Sequence, residues 1–362
     1  EEVVAKGVKD KAPAVAVAKK DRAVVADYEA RYLSGEWASE KQSYEKLWFQ
    51  CLSFYTGNQW SRWNPQFARL EEPPAPPWRK KYTANLILPM VMRIVAKLTA
   101  DRPEAVVVPN TPDRDDVQGA RVSTKVLDHL MRVTEFDTEL RRMVEWATIC
   151  GTGFLKVYWD PKSGPRTGEM MDFAESLIMR EAEDAKESST KGKASVLDRP
   201  IGEIRVDPVS PFKIFTDART AAPGWDDATW VCEATTRPLD YIKQKWAKGD
   251  KVAADSGGSG MHGFLEKKMR GMVSGIGSGW FTTPKDSETA VVLEMWDRPS
   301  TEYPRGRYAV VANGVVLENR ANAFTEIGSW NPYIYYPFIE VPGRFWGMGL
   351  VENLMAPQRE YN

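Results

Sequence analysis

Two kinds of apolar pattern divide this chain, and their order is the feature that most restricts its fold. Between Tyr44 and Tyr55, apolar residues recur at intervals of three and four, which indicates one face of a helix. Helical patterns continue to about residue 150, whereas short strand patterns dominate from about residue 202. Helices followed by strands indicate an α+β fold, with a helical N-terminal half packed on a mainly antiparallel β region.

Caps and periods predict four helices in the first half. In the first, over residues 39–57, Ser39 and Gln42 form a capping-box pair and Gly57 supplies a left-handed stop. The others are predicted over residues 85–100, from Asp113 or Asp116 to about 133, and from Asp137 or Thr138 to about 151.

Clusters of β-branched and aromatic residues between turn signals predict the strands. Asn313-Gly314 marks a type I′ hairpin turn between two of them. The predicted strands cover residues 105–108, 154–159, 203–206, 212–215, 229–234, 291–296, 308–311, 315–318 and 333–340. A short helix is predicted over residues 239–246, and a last helix begins near Met348 and still continues at Asn362.

These patterns suggest a division of the chain into successive parts. The predicted parts are a flexible tail or arm (1–25), a helical region (26–160), a charged insertion (161–200), a β-rich region (201–346) with a mobile Gly/Ser loop (255–279), and the start of a further helix (347–362).

The charge balance restricts what the chain can bind. It carries 49 basic and 50 acidic side chains, a net charge of −1, so it lacks the positive excess typical of non-specific nucleic-acid binding. Any contact with DNA must therefore be local or transient. Basic and aromatic residues mix at Arg62-Trp63 and over residues 78–82. Such a patch could bind nucleic acid, form a solvated loop or line an interface.

No catalytic, metal or cofactor site is predicted. Neither His129 nor His262 has a ligand neighbour at metal-binding spacing. The Gly-x-Gly-x-x-Gly match at 258–263 lies among further Gly and Ser residues, which favours a loop over a dinucleotide site. The chain also lacks the Gly-x-x-x-x-Gly-Lys-Ser/Thr phosphate-binding loop typical of ATP-hydrolysing enzymes. A non-enzymatic protein is the resulting prediction.

The cysteine and hydropathy patterns favour a reducing compartment and no membrane span. Cys51, Cys150 and Cys232 are odd in number and far apart, so neither a disulfide framework nor a zinc site is indicated. The most apolar segment, residues 84–100, contains a proline and two basic residues and is shorter than a membrane span.

One acidic cluster admits two interpretations. Asp113, Asp115 and Asp116 could bind a divalent cation in a nuclease. They could equally cap the following helix and interact with its N-terminal dipole, which needs no metal. We favour the cap.

Several motifs, in this order along the chain, resemble the portal proteins of short-tailed, podovirus-type phages. They are residues 54–60 (Phe-Tyr-Thr-Gly-Asn-Gln-Trp), Asn85 before a helix, 102–109, 150–160, 211–217, 292–296, and Gly347, Gly349, Gln358 and Asn362. The resemblance extends over residues 44–362 but leaves the segments 169–193 and 255–279 without a counterpart.

The resemblance implies a portal (head–tail connector) subunit in a dodecameric ring at one capsid vertex. The chain would supply a wing-like region ending in the start of a stem helix. The implied partners are double-stranded DNA in the channel, terminase, scaffolding and major capsid protein, and tail adaptors, with no membrane and no cofactor. The implied location is the virion, after assembly in the host cytoplasm. A head–tail adaptor or other capsid assembly protein, and a metal-dependent nucleic-acid-processing enzyme, are the alternatives.

Two groups of residues are expected to act in such a ring. Trp37, Trp63, Trp78 and Trp225 are predicted subunit-interface residues, because they fall in predicted loops and tryptophan is enriched at interfaces. The resemblance also implies that Arg359 faces the channel and contacts DNA.

Overall fold

The computed structural model describes residues 23–28, 31, 35–64, 69–73, 78, 81–101, 105–161, 163–164, 202–217, 222–254 and 288–362. Outside these ranges lie residues 1–22, nearly all of the predicted insertion at 161–200, and the predicted loop at 255–279 with His262.

Helices dominate the first half of the described chain and return at its end. They are α1 (Gly35–Tyr55), α2 (Ile87–Leu98), α3 (Arg114–Val133), α4 (Phe136–Cys150), α5 (Leu239–Lys245) and α6 (Leu350–Tyr361). Gly57 and Gly151 follow α1 and α4 with φ angles of 96° and 94°, the left-handed conformation that ends a helix. The four helices predicted in the first half are therefore confirmed, although α1 begins four residues early.

The strands pair antiparallel throughout the described sheets. They are β1 (Arg62–Asn64), β2 (Arg69–Glu71), β3 (Thr152–Asp160), β4 (Glu203–Val209), β5 (Ile214–Thr216), β6 (Trp230–Pro238), β7 (Thr289–Asp297), β8 (Arg307–Ala312), β9 (Val315–Ala321) and β10 (Tyr333–Pro337). The sheet orders are β1-β2, β10-β3-β4 and β5-β6-β7-β8-β9. An α+β fold with an antiparallel β region is confirmed.

The structure corrects several predicted boundaries. Residues 105–108 are extended but not in a strand; the Val107 amide instead donates to the hydroxyl of Thr124 on α3. Residues 211–213 form a 3₁₀ turn before β5, because Ser210 caps the turn and Pro211 lacks an amide hydrogen. Residues 23–25, assigned to the tail from the sequence, are helical.

Helix α4 lies at the centre of the fold, where it contacts α1, α2, α6 and strands β3 and β4. The aromatic residues Trp48, Phe154, Phe345 and Trp346 pack beside it, with ring centroids 4.8 to 6.3 Å apart. Two further buried apolar clusters include residues from the five-stranded sheet, and Val24 and Tyr28 belong to one of them. This core explains most of the 14 tryptophans as ordinary packing.

Candidate functional site

Residues that are scattered in the sequence motifs meet where α6 joins the rest of the fold. The side chains of Gln59, Asn85, Gln358 and Asn362 form one hydrogen-bonded group, which we call the α6 junction. It joins the loop after α1, the approach to α2 and the end of α6. Motif residues separated by up to 303 positions are thus direct neighbours.

One half of the α6 junction joins α1 to α2. The Asn362 amide donates to Gln59 Oε1 at 2.5 Å, and Gln59 Nε2 donates to Asn85 Oδ1 at 3.0 Å. Asn85 also donates to the Tyr55 carbonyl and accepts from the Leu88 amide in the first turn of α2. A side-chain oxygen that accepts from a first-turn amide is a helix cap. The start of α2 is therefore fixed by the same network that holds α6.

The other half of the α6 junction acts on the backbone before α2. Gln358, which is buried, donates to the Ala84 carbonyl at 2.9 Å and accepts from the Leu86 amide at 3.3 Å. Asn362 Oδ1 accepts from the Ala84 amide at 3.2 Å. Two amide side chains of α6 thus replace the strand or helix partner that the backbone before α2 lacks.

Glycines allow the segment before α6 to touch the backbone between α4 and β3. A Cβ atom on Gly347 would lie 2.5 Å from the Gly151 carbonyl oxygen, and one on Gly349 would lie 2.6 Å from the Ile149 oxygen. The Gly347 amide donates to the hydroxyl of Thr152 at 2.9 Å. Only glycine fits at such backbone-to-backbone distances. The motif glycines therefore fix the position from which α6 starts.

A buried charged group holds the two larger sheets together. Lys156 on β3 donates to Glu233 on β6 at 2.6 Å and to Glu294 on β7 at 2.8 Å. Tyr333 on β10 donates to Glu233 at 2.7 Å. We call these four residues the seam cluster.

Charge pairing in the seam cluster outweighs desolvation. Burial alone would raise the pKa of Glu233, but the Lys156 ammonium and the hydrogen bonds from Lys156 and Tyr333 lower this pKa to about 2. Burial alone would lower the pKa of Lys156, yet Glu294 and Glu233 raise that pKa above its usual range. Lys156 and Glu233 therefore stay charged, and a buried network of this kind fixes the relative position of the sheets.

A second charged group ties the N-terminal helical residues to the five-stranded sheet. Asp27 pairs with Arg307 at 3.0 Å, and Arg31 pairs with Asp297 at 2.8 Å. Tyr28 is fully buried and donates to Asp297. These contacts anchor residues 23–28 and Arg31, in a part of the sequence without a strong pattern.

The four predicted interface tryptophans lie in different environments. Trp225 packs inside the subunit against Phe154 and Phe345, and its indole donates to the Tyr333 carbonyl at 2.8 Å. Trp225 is half-buried, and its role at a subunit interface stays a prediction. Trp63 lies in β1 rather than in a loop, half-buried, with the Lys46 ammonium 5.5 Å from its ring centre.

Trp78 and Trp37, the other two predicted interface residues, also lie in different kinds of local structure. Trp78 lies in a turn and exposes 81% of its surface, as an interface residue in an isolated subunit would. Trp37 lies in α1 and not in a loop, and its side chain is outside the described residues.

Arg359, the predicted DNA contact, lies on an exposed position of α6. Its guanidinium carbon is 4.8 Å from the centre of the Phe54 ring. Partial burial, and then the charge of Arg62, lower its pKa, but an arginine remains charged at neutral pH. One face of Arg359 is therefore held against the fold, and no described contact neutralises its charge.

The acidic cluster occupies the start of α3, as the capping interpretation predicts. Asp113 is the residue before the first turn, although its side chain makes no cap hydrogen bond, and Asp115 and Asp116 lie in that turn. Asp116 instead accepts from Thr111. In the part of the chain that the structure describes, no three metal-ligating side chains come together.

The seam cluster is the group that sequence reasoning missed. Lys156 is a charged residue inside the apolar segment 154–159, and Glu233 and Glu294 sit in similar segments. A single charge within a strand of the buried type indicates a buried partner, and this signal could have singled out all three.

The α6 junction and the seam cluster thus position the helices and sheets of the fold. Among the described residues, no helix has both the length and the apolar character needed to cross a membrane. The chain belongs to the phage P22-like portal protein family, whose model matches residues 30–362. A search of curated proteins finds no match. Members of this family are structural components of the virion rather than enzymes.

Proposed function

We propose that this chain is a portal subunit that forms a ring at one capsid vertex, through which DNA is packaged and ejected. The family match over residues 30–362 is the observation that carries the proposal. The α6 junction supports it, because it fixes the direction of α6 relative to the rest of the subunit. In a ring, that direction decides how α6 lies relative to the axis.

The proposed ring is a dodecamer without catalytic activity of its own. Its partners are the DNA in its channel, the terminase during packaging, scaffolding and major capsid protein during assembly, and tail adaptors afterwards. It is assembled in the host cytoplasm and remains in the virion.

The charge balance suits a channel through which DNA slides. Each phosphate that a protein neutralises adds affinity and slows movement, so a near-neutral chain with a net charge of −1 favours transient contact. Arg359 remains the proposed DNA contact. Because one face of its guanidinium lies on Phe54, this cation is positioned without an ion pair to a described acidic residue.

The proposed interface tryptophans remain Trp37, Trp63, Trp78 and Trp225, and Trp78 has the strongest support. Trp78 exposes most of its indole, and an exposed tryptophan favours a partner that buries it. The adaptor and nuclease alternatives have no comparable support, since the family match covers most of the chain and Asp113, Asp115 and Asp116 take part in a helix start.

Native mass spectrometry of the full-length protein, with class averages of its particles, tests this function. We expect a closed ring of about a dozen subunits and no nuclease or ATPase activity in the same preparation. A protein that stays monomeric or dimeric even with scaffolding protein present would exclude the portal function. Metal-dependent cleavage that Asp116→Ala abolishes would favour the nuclease instead.

A further inference from the structure

The five-stranded sheet has two apolar faces, and different parts of the chain pack on them. On β7, Val291 and Leu293 belong to one buried cluster, whereas Ala290 and Val292 belong to another. Successive side chains of a strand point to opposite faces of a sheet, so these two clusters mark its two faces. Residues of α5 belong to the cluster of Ala290 and Val292. The face of Val291 and Leu293 is therefore packed against something other than α5.

A short N-terminal segment packs on this second face. Residues 23–28 and Arg31 are helical, and we call them the strap. Val24 and Tyr28 are buried and belong to the cluster of Val291 and Leu293. The other buried members of this cluster that the structure describes lie in strands β5 to β9. Because Val24 and Tyr28 are four residues apart, they lie on one side of the helical segment, and that side faces the sheet.

Charged residues hold the strap at one end of this face. Asp297 and Arg307 lie directly opposite each other on β7 and β8. Asp27 of the strap pairs with Arg307 at 3.0 Å, and Arg31 pairs with Asp297 at 2.8 Å. The Tyr28 hydroxyl donates to Asp297 at 3.2 Å, and the Arg307 guanidinium carbon is 4.6 Å from the centre of the Tyr28 ring. The strap therefore binds both an apolar face and a pair of opposite charges.

The charged pair on the sheet is satisfied without the strap. Arg307 donates to Asp297 at 2.9 Å and to the Tyr303 hydroxyl at 3.1 Å. On the strap, Asp27 and Arg31 also pair with each other, and their side chains are 39% and 32% exposed. Breaking a buried ion pair is costly because it leaves one charge uncompensated. Release of the strap leaves Asp297 and Arg307 paired, so it avoids this cost.

The helical structure of the strap depends on its contact with the sheet. Isolated helices shorter than about 12–15 residues are marginal in water, so a segment of this length is helical only while it is docked. Val24 and Tyr28 are the buried apolar side chains that hold it, whereas the strands of the sheet are joined by continuous ladders of hydrogen bonds. Segments with few buried contacts open before the rest of a protein does. Docking and helix formation of the strap are therefore one step.

We propose that the strap is a releasable cover of the five-stranded sheet, which undocks while the rest of the subunit stays folded. Its ion pairs control the release. They involve partly exposed side chains, and salt screens such pairs, so high ionic strength favours the undocked state. Release uncovers the sheet face that carries Cys232 and frees the part of the chain before residue 23 from the sheet. This inference does not depend on the proposed ring.

The three cysteines of the chain provide the first test. Cys232 is buried on the face that the strap covers, whereas Cys51 and Cys150 are buried in the main core. Labelling of the full-length protein with N-ethylmaleimide, followed by mass spectrometry of its peptides, measures the rate at each thiol. Tyr28→Ala is expected to raise the rate at Cys232 by about tenfold or more, because it removes a buried ring. The rates at Cys51 and Cys150 should not change.

An exposed tyrosine supplies the control for this test. Tyr82 is 71% exposed and lies outside the strap, so Tyr82→Ala should leave the Cys232 rate unchanged. If Tyr28→Ala also leaves that rate unchanged, the inference is overturned. An equal rise at all three cysteines overturns it too, because the strap then does not open separately from the core.

The second test measures the dependence on salt. In the unchanged protein, about 1 M NaCl is expected to raise the Cys232 labelling rate by about threefold or more over low salt, relative to the rates at Cys51 and Cys150. The double variant Asp27→Asn, Arg31→Gln should label rapidly at low salt and no longer respond to NaCl. A salt response that persists in this variant overturns the inference.

A second ion pair supplies the matched control. Asp128 and Arg132 on α3 have the same spacing of four residues and are also exposed. The double variant Asp128→Asn, Arg132→Gln makes the same change of charge outside the strap, so it should keep the salt response of the unchanged protein. Loss of the response in this control as well would show that the strap pairs are not its source, and the inference would fail.

Discussion

Glu233 and Glu294 lie directly opposite each other on the adjacent strands β6 and β7. Like charges in directly opposed positions destabilise a sheet. Lys156 reaches both carboxylates from β3, in the other sheet, at 2.6 and 2.8 Å. The five-stranded sheet therefore depends on a cation supplied by its neighbour, and this dependence couples the stability of the two sheets.

Removing this cation is expected to destabilise the subunit strongly. Lys156→Met leaves two buried carboxylates without a counter-ion, and breaking a buried ion pair in this way costs about 3–5 kcal/mol. Thermal melting followed by tryptophan fluorescence measures the loss. Lys243→Met, at an exposed lysine, is the control and should leave the melting temperature unchanged.

Neutralising the carboxylates together with the lysine is expected to restore much of this stability. In the triple variant Lys156→Met, Glu233→Gln, Glu294→Gln, no buried charge remains uncompensated. Recovery in the triple variant separates charge imbalance from loss of lysine packing. A triple variant as unstable as Lys156→Met alone would show that packing is the cause.

The seam cluster is also expected to weaken in acid. The pKa of Glu233 is lowered to about 2 in the folded chain, whereas an unfolded glutamate titrates near about 4.3. Its stabilising contribution is therefore complete above about pH 4.3 and is lost as the pH falls towards 2. Urea unfolding from pH 6 to pH 2 should show this loss. In Glu233→Gln the loss should be smaller over the same range.

Alanine at Gly151 is expected to disrupt the segment that leads into α6. Its φ is 94°, and its Cβ atom would lie 2.1 Å from the Gly347 oxygen, so strain and clash together cost about 3 kcal/mol or more. Gly328→Ala is a close control, because Gly328 has a φ of 82° and open space around its Cβ position. It should cost about 1 kcal/mol in the same urea titration. Equal losses would mean that the close contact between Gly151 and Gly347 is unimportant.

Replacing Gln358 is expected to loosen the start of α2. Gln358→Leu removes the partners of the Ala84 carbonyl and the Leu86 amide, at a cost of about 1–2 kcal/mol. Hydrogen exchange should become faster at Leu86 while the five-stranded sheet is unaffected. Asn353→Leu, at an exposed position on the same helix, should leave exchange at Leu86 unchanged.

Substitutions at two tryptophans should separate effects on subunit stability from effects on ring assembly. Trp225→Ala is expected to cost about 3 kcal/mol of subunit stability, because it removes a packed ring and the hydrogen bond to Tyr333. Trp78→Ala should change subunit stability by less than about 0.5 kcal/mol, since Trp78 is exposed. If Trp78 lies in the ring contact, its replacement should instead lower the fraction of assembled rings.

Local signals in the sequence are enough to predict most of the helices and strands. Gly57, Gly151 and Asn313-Gly314 end or turn the chain as predicted, because such residues favour left-handed backbone whatever surrounds them. The strand predicted over residues 105–108 is wrong because a strand needs a neighbour to pair with, and the described part of the chain supplies none there.

The site was only partly predictable for the same reason. The motif residues Gln59, Asn85, Gln358 and Asn362 were identified, but each was known only by its position in the chain. Their hydrogen bonds join positions up to 303 residues apart, and no local pattern encodes such a distance. The environment of Trp225 depends likewise on residues more than 100 positions away.

The α6 junction also defines a route for mechanical load. A force applied to α6 is transmitted to the backbone before α2 through Gln358. It is also transmitted to Thr152, the first residue of β3, through the hydrogen bond from the Gly347 amide. Neither contact lies in the five-stranded sheet. Tension on α6 is therefore carried first by the backbone before α2 and by the start of β3, and it reaches the five-stranded sheet through contacts between the sheets, such as those of Lys156 and Tyr333 with Glu233.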